Sequence, residues 1–493
     1  MGFKTDTSFL RFLTMGAKGV RQTVAQLESM GFKPIELERY CGSNKIWATK
    51  VKRLRLPDLL CVKTGLRIEV RAKSDLAIKM SDAPNNPDRV WDAGLQDDDL
   101  AAFIACFDDG NGPVTADKAT FVRIGDMRES VAMSKLGPPK SASEGAERDR
   151  EWPTTVPKRA GEIIEITDTK IVARMFATGT QDERRQSYQL HGKTPYVSVG
   201  DKFEASTCFI SGAPQCLADL TDYLRCSYDP FAALSSVHDV DRYSAVKAFP
   251  FREDDPAKVR TALETLIADE QEARVQLEAS GSATYFGSQL GQDTIAGFIW
   301  NEDTAHELRM EAVLILIELV KGTFTRDLLC EIASHENFMG SELRQAAVWG
   351  LGKAGVQSYA DILPFIADAE ENVALHAIAA FDENTPDQVI DQLVTRLLSD
   401  DPKLAPAASE ALRIIGSDKA IQSLARSYDK NPNARSWIIA TLGRMLPEKV
   451  RTNLVGHEAL QLLEPMFLCA DGAHWLSSEQ ITTDISFLLK QNI

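Results

Sequence analysis

The sequence predicts a multidomain chain with an α/β region at its start, a small β domain in the middle and an all-α solenoid at its end. Three observations predict this architecture. At 493 residues the chain is too long for one ordinary core. Short apolar or alternating runs between Gly-containing turns follow a first amphipathic helix and are typical of strands. In the last third, Ala-rich segments recur about every thirty residues, which is typical of stacked helix pairs.

The first 125 residues predict a helix followed by a meander of strands. Apolar residues from Val20 to Leu27 repeat at helical spacing, and Gly31 is the predicted stop. The runs LPDLLCV and LRIEVRAK then read as two strands joined by a two-residue Thr-Gly turn. We therefore expect an α/β domain over residues 1–125.

Composition divides the rest of the chain into four segments. A stretch rich in Pro, Ser, Gly and charge predicts a linker, and alternating runs predict a small β domain. Acidic helical segments without identifiable chemistry predict a connector, and the recurring helix pairs predict the solenoid. The predicted segments are, in that order, 126–160, 161–213, 214–300 and 301–493.

The recurring segments of the solenoid are short Ala-rich helices, each followed by a second helix. They begin 29, 34 and 27 residues apart, starting at residue 341. Small residues let neighbouring helices pack closely while each pair completes the core of the next. These residues are Ala346, Ala347, Ala377 and Ala411. The units resemble HEAT-like repeats, which implies a protein partner bound through the repeats, and an ordinary helical bundle is the alternative.

Charge is distributed unevenly along the chain. The net charge of −16, taken alone, argues against a nucleic-acid partner, because phosphate binding needs clustered Lys and Arg. Residues 1–80 nevertheless carry a net +9, and the remaining 413 residues carry −25. This asymmetry is expected where one domain touches a polyanion, and chance clustering on a solvated face is the alternative.

The sequence also indicates a compartment. No apolar run approaches the length of about eighteen residues that a membrane helix needs, and the first residues lack the features of a secretory signal. The eight cysteines are scattered and form no C-x-x-C motif, so neither a zinc ribbon nor a disulfide framework is predicted. We therefore expect a cytoplasmic protein without a membrane partner.

The segment LPDLLCVKTGLRIEVRAK carries the candidate chemistry. Asp58 follows a proline, and Glu69 comes eleven residues later, so a hairpin would bring the two carboxylates together. Carboxylates on adjacent strands can hold Mg²⁺ or Mn²⁺, which polarises a phosphate and lowers the pKa of bound water. Side chains alternate along a strand, so Glu69, Arg71 and Lys73 point to one face.

This segment resembles the core of the PD-(D/E)XK nuclease superfamily, in which an Asp ending one strand and a Glu-x-Lys on the next converge on divalent cations. The resemblance implies a restriction-endonuclease-like fold and a metal-dependent endonuclease that cuts DNA. It also implies catalytic roles for Asp58, Glu69, Arg71 and Lys73, with Asp58 and Glu69 as ligands of Mg²⁺ or Mn²⁺.

The match departs from the family pattern at two positions. Arg71 stands at the family's lysine position, and Lys73 can take the lysine's place because it points to the same face. Arg71 cannot accept a proton from water, although it can clamp a phosphate, so a degenerate site that binds without cutting is the alternative. Gln22 occupies the first-helix position where family members often carry a metal-binding Glu.

A basic strip before Pro57 is predicted to contact a phosphate backbone. Tyr40 and Trp47 are interleaved with it and suit stacking on an unpaired base, although Trp47 equally suits a core position between two apolar neighbours. The predicted nucleic-acid-binding residues are Lys45, Lys50, Lys52, Arg53 and Arg55.

Three functions remain open at this point. The first is a DNA endonuclease with the repeats as scaffold, an architecture that resembles effectors of bacterial defence and restriction-type systems. The second is a degenerate nuclease fold that grips nucleic acid without cutting. The third is a protein-interaction scaffold without nucleic acid, which the acidic bulk of the chain favours and the basic residues 1–80 argue against.

Overall fold

The computed structural model covers an α/β region, a small β region and a long helical region. The residues that it describes are 7–37, 47, 49, 54, 56–108, 112–140, 146–179, 181–320, 322–353 and 358–471. From residue 221 onward, the regular secondary structure in these ranges is helical.

A mixed sheet covered by one long helix forms the core of the α/β region. Its elements are, in chain order, α1 (Thr7–Ser29), β1 (Pro34–Glu36), β2 (Leu59–Cys61), β3 (Arg67–Lys73), β4 (Lys79–Asp82), β5 (Leu100–Asp108), β6 (Pro113–Thr115), β7 (Thr120–Arg123) and α2 (Ile124–Glu129). The strand order is β1-β2-β3-β5-β6, and β7 also pairs with β5. Strands β1, β2 and β3 pair antiparallel, whereas β3 and β5 run parallel. The predicted N-terminal α/β region is confirmed.

The helix α1 packs against β3 and β5 through the apolar residues that the sequence spacing indicated. Val24 and Leu27 are buried, and Gly31 follows the helix with a φ of +97°, in the left-handed region. Close approach to β3 depends on a glycine, because a Cβ at Gly19 would lie 2.7 Å from the Cβ of Ala72. Since Ala72 faces α1, alternation places the odd-numbered residues of β3 on the opposite face of the sheet.

The stretch 126–160, predicted as a linker, contains strands that belong to the folded α/β region. They are β8 (Lys135–Leu136), β9 (Arg148–Glu151) and β10 (Thr154–Thr155), and β4, β9 and β8 form a small sheet. Trp152 is fully buried, its Nε1 donates to the Met127 carbonyl at 3.1 Å, and its ring packs edge-on against Trp91. One buried tryptophan anchors a polar stretch that composition alone assigns to a linker. The structure thus corrects the linker prediction for the described residues.

Residues 161–213 form antiparallel strands around a small apolar core of their own. The strands are β11 (Gly161–Ile166), β12 (Lys170–Met175), β13 (Arg184–Gln189), β14 (Thr194–Pro195), β15 (Lys202–Phe203) and β16 (Ser211–Gly212). One sheet has the order β13-β12-β11-β15, and β16 pairs with β10 and β14. Phe209 of this region belongs to the apolar core of the α/β region, and Cys216, which follows β16, forms a bridge with Val122 of β7, so the two regions pack against each other.

The remaining described residues form helices joined by short turns. The helices are α3 (Thr221–Leu224), α4 (Pro230–Ala233), α5 (Asp239–Ala248), α6 (Pro256–Asp269), α7 (Ala273–Tyr285), α8 (Gln289–Trp300), α9 (His306–Leu319), α10 (Thr323–Ser334), α11 (Glu342–Leu351), α12 (Tyr359–Ile362), α13 (Glu371–Ala379), α14 (Asp387–Leu397), α15 (Leu404–Ile415), α16 (Asp418–Lys430), α17 (Arg435–Leu442), α18 (Pro447–Asn453) and α19 (Glu458–Asp471). Within the described ranges, none of the helices has both the length and the apolar character that crossing a bilayer requires.

From α7 onward the helices stack around one continuous apolar core that runs from Leu277 to Phe467. The helices α9, α11, α13, α15, α17 and α19 contact one another in succession, and α14, α16 and α18 form a second row. Ala346, Ala377 and Ala411 are fully buried at the close contacts, as their size predicted. The predicted all-helical repeat region is confirmed. Because α7 and α8 contribute to the same apolar core, the helical repeat region begins within the predicted connector, residues 214–300.

Candidate functional site

The hairpin of β2 and β3 carries the predicted catalytic residues. Leu59 pairs with Ile68 in an antiparallel register. Asp58, one residue before Leu59, therefore lies opposite Glu69. The sequence prediction that these two carboxylates belong to adjacent strands agrees with this register.

The turn of this hairpin has four residues, whereas the sequence predicted two. The backbone N–H of Cys61 donates to the carbonyl of Leu66 at 2.8 Å, which closes a loop over residues 62–65. Gly65 has a φ of +76°, which favours glycine. A Cβ there would also lie 2.7 Å from the Tyr228 ring, so glycine lets this ring pack on the turn.

Both predicted metal ligands are bonded to protein groups. The Asp58 carboxylate accepts a hydrogen bond from the Val70 backbone N–H at 2.7 Å. Glu69 is 8% exposed and forms an ion pair with Arg71. Within the part of the chain that the structure describes, no three His, Cys, Asp or Glu side chains converge into a group that could hold a metal ion. Asp58 and Glu69 are carboxylates, the kind of ligand that Mg²⁺ or Mn²⁺ prefers. Within the described residues, no third such side chain joins them.

Gln22, at the helix position where the family resemblance puts a Glu, makes a different contact. Its Nε2 donates to the backbone carbonyl of Asp117 at 2.8 Å, which ties α1 to the turn between β6 and β7. This amide adds no carboxylate to the site. The first helix thus contributes Gln22 to packing rather than to metal binding.

Lys73 ends β3 on the same face as Arg71, as side-chain alternation predicts. The pKa of the Lys73 ammonium is lowered from 10.5 to about 8, chiefly by burial. The cations Arg71, Lys140 and Lys79 contribute to this lowering, and the Asp149 carboxylate opposes it. The half-buried ammonium thus lies in a network of charges in which each neighbouring cation is itself paired with a carboxylate: Arg71 with Glu69, Lys79 with Glu151 and Lys140 with Asp149.

A cleft of about 60 Å³ opens beside Glu69 and Arg71. Trp91 lines one wall, and the ion pair of Arg89 with Glu147, 3.2 Å long, lines another. A cleft of this volume has room for a few water molecules or for one small group such as a single phosphate. Residues that follow β4 thus line the cleft together with Glu69 and Arg71.

The basic strip predicted to contact nucleic acid lies outside the described residues. It comprises Lys45, Lys50, Lys52, Arg53 and Arg55, and Tyr40 lies outside them as well. Trp47 is described, is 2% exposed and packs among the helical repeats against Trp349 and His376. Of the two roles predicted for Trp47, the core position is confirmed.

A larger cavity, of about 770 Å³, lies at the opposite end of β3, and no pattern in the sequence indicated it. It lies between the β2–β3 turn, the residues that follow β16 and helix α5. Its charged and aromatic lining includes Arg67, Asp99, Arg123, Asp126, Tyr228 and Asp241.

Arg67 ties the α/β region to the helices across this cavity. Its guanidinium donates to both carboxylate oxygens of Asp99 at 2.8 and 3.0 Å, and to Asp241 of α5 at 2.9 Å. Burial raises the pKa of Asp99, and the Arg67 charge opposes this effect. The aspartate run that ends at Asp99 is visible in the sequence. Asp241 is 174 residues from Arg67, and no local pattern connects the two.

Comparison with known proteins identifies one part of the chain. Residues 359–443 match the family model of HEAT repeats. No curated protein matches the chain. The match runs from α12 to α17, so the prediction of HEAT-like repeats is confirmed. The resemblance of the N-terminal region to nucleases stays a prediction.

Proposed function

We propose that this protein binds the phosphodiester backbone of a nucleic acid, DNA in the first instance, at the face of β3 that carries Arg71 and Lys73. The observation that carries the proposal is the cluster of cations on this face, where Lys73 lies near Arg71, Lys140 and Lys79. Partial burial and these charges together lower the pKa of Lys73 to about 8. A phosphate oxygen at this position would offset the repulsion that the cations exert on Lys73, and charge-assisted hydrogen bonds from Lys and Arg to phosphate are strong.

Two further features support a phosphate ligand. The adjoining cleft, of about 60 Å³, has room for one such group beside Arg71, whose guanidinium can contact two oxygens at once. Residues 1–80 carry a net +9 in a chain of net −16, so the positive charge belongs to this region. In this proposal the N-terminal α/β region has a restriction-endonuclease-like fold and binds nucleic acid without cutting it.

The repeats have a separate part in this proposal. HEAT repeats suit a protein-interaction scaffold, because stacked helix pairs expose an extended surface. Residues outside the first eighty carry −25, so they repel the polyanion that the N-terminal region attracts. We therefore assign nucleic acid to the N-terminal region and a protein partner to the helices.

Binding is expected to weaken as the pH rises through and above about 8, the pKa of Lys73, because the ammonium loses its proton and its attraction for phosphate. The wild-type affinity for a short duplex should fall by about three- to tenfold between pH 7 and pH 9.5. Lys73→Arg should remove this dependence, since a guanidinium stays charged over that range. Fluorescence anisotropy at constant ionic strength measures both profiles.

Lys79→Arg is the matched control for this titration. The pKa of Lys79 lies above its ordinary value of 10.5, because Glu151 forms a salt bridge with it, so its charge is constant over the same range. The control should keep the wild-type profile. Identical profiles for wild type and Lys73→Arg would show that Lys73 does not touch the ligand.

Metal-dependent cleavage of the bound nucleic acid is the second candidate function. The observation that favours it is the antiparallel register that sets Asp58 opposite Glu69, with Lys73 on the Glu69 face. Asp58 and Glu69 would hold Mg²⁺ or Mn²⁺, which when bound activates water and stabilises phosphate charge. A protein with this activity would suit an effector of a bacterial defence or restriction-type system. A plasmid-cleavage assay with either cation, run beside the binding assay, distinguishes cleavage of nucleic acid from binding alone.

A further inference from the structure

The helical repeats hold a tryptophan from the opposite end of the chain. Trp47 is 2% exposed and belongs to the apolar core of the repeats. Its ring lies edge-on to Trp349 of α11, with 5.9 Å between ring centroids, and 5.3 Å from the ring of His376 on α13. The groove between α11 and α13, lined by these two rings, is called the tryptophan groove below.

A backbone hydrogen bond two residues after Trp47 gives this part of the chain a second contact with the repeats. The Thr49 N–H donates to the Glu342 carboxylate at 2.8 Å, across 293 residues of sequence. Glu342 lies in the first turn of α11. Trp47 and Thr49 thus present two features to these helices, a tryptophan ring and a main-chain N–H, and peptide-binding surfaces combine side-chain and main-chain contacts of these two kinds.

The surroundings of the groove suit an aromatic side chain. The Lys353 ammonium lies 4.2 Å from the Trp349 ring centroid, a cation–π contact that holds this ring in place. Large rigid aromatics that fill such sites are the residues that dominate binding energy at interfaces.

We propose that the tryptophan groove is the partner-binding site of the repeats, that its ligand is a peptide segment with a tryptophan, and that Trp47 occupies it in cis. This inference rests on the proposed role of the repeats and names the chemistry of their partner. A partner segment must displace Trp47, so its binding is coupled to release of Trp47 and Thr49 from α11 and α13.

The test uses the full-length chain and a labelled peptide of residues 43–53, SNKIWATKVKR. Trp47→Ala empties the groove and should bind this peptide about tenfold or more tighter than wild type does, the change expected for an aromatic anchor. The same peptide with alanine for its tryptophan should not bind. Adding Trp349→Ala to Trp47→Ala should abolish capture.

Two variants keep the result interpretable. Trp437→Ala, at a 41% exposed tryptophan of α17, should behave as wild type. Thr49→Pro removes the donor to Glu342 while the indole remains, so it should raise peptide binding by a smaller factor even if Trp47→Ala fails to fold.

Equal peptide binding by wild type, Trp47→Ala and Thr49→Pro would overturn the proposal. Equal binding of the tryptophan and alanine peptides would also overturn it, since charge alone would then explain capture. The assay contains no nucleic acid, so its outcome is independent of the phosphate-binding proposal.

Discussion

Replacing Arg67 with methionine is expected to lower the free energy of unfolding by about 3–5 kcal/mol, the usual cost of removing one partner from a buried ion pair. The Arg67 side chain is 5% exposed and bonds to Asp99 and Asp241. Without it, two carboxylates lie close together in a largely buried site, and the pKa of Asp99, which burial already raises, loses the opposing charge of Arg67. Chemical denaturation followed by circular dichroism measures the loss.

The matched control for this prediction is an exposed arginine in a similar pair. Arg225 forms a surface ion pair with Asp222, and the two side chains are 78% and 92% exposed, respectively. Because such pairs contribute little to stability, Arg225→Met should leave the denaturation midpoint unchanged. If Arg67→Met lowers the free energy of unfolding no more than Arg225→Met does, the Arg67 ion pairs do not hold the α/β region against α5.

Asp58→Ala and Glu69→Ala are each expected to abolish any cleavage that depends on Mg²⁺ or Mn²⁺, because either change removes half of the available donor set. Both variants should still bind duplex DNA, since the proposed phosphate contacts come from Arg71 and Lys73. Lys73→Ala should reduce cleavage more than Lys79→Ala does. Nicking of a supercoiled plasmid measures the activity.

Asp75→Ala serves as control, because Asp75 is 89% exposed and pairs only at the surface with Lys158. Undiminished cleavage by Asp58→Ala or Glu69→Ala would refute their assignment as metal ligands. A wild-type protein that binds the plasmid and leaves it intact with either cation would eliminate the second candidate function.

Features that depend on local periodicity could be predicted from the sequence. The spacing that ends at Leu27 marks the buried face of α1, and Ala377 and Ala411 mark close contacts in the repeats. That Asp58 and Glu69 lie on neighbouring segments of one hairpin was also predictable, because residue types and strand alternation are local properties. Their exact register was not: a two-residue turn at Thr64 and Gly65 would set Asp58 opposite Arg71, whereas the four-residue loop closed by Cys61 and Leu66 sets it opposite Glu69.

Features that depend on distant partners could not be predicted. In the sequence, Arg67 is one of several charges on a strand that looks exposed. Its burial depends on Asp241, which lies 174 residues later in the chain. Trp152 lies in a stretch with the composition of a linker, and only its burial beside Trp91 shows that the stretch is folded. Trp47 likewise has a sequence context that fits a base-stacking residue, because its partners lie in α11 and α13.

The salt dependence of duplex binding by Lys73→Ala tests the central claim most directly. If Lys73 contacts a phosphate, the variant should bind more weakly, and its log–log salt slope should be shallower than that of wild type by roughly 1. Lys79→Ala, whose ammonium pairs with Glu151 at 2.9 Å, should keep more of the wild-type affinity and slope. A Lys73→Ala protein with the affinity and the slope of wild type would contradict a phosphate site on this face of β3.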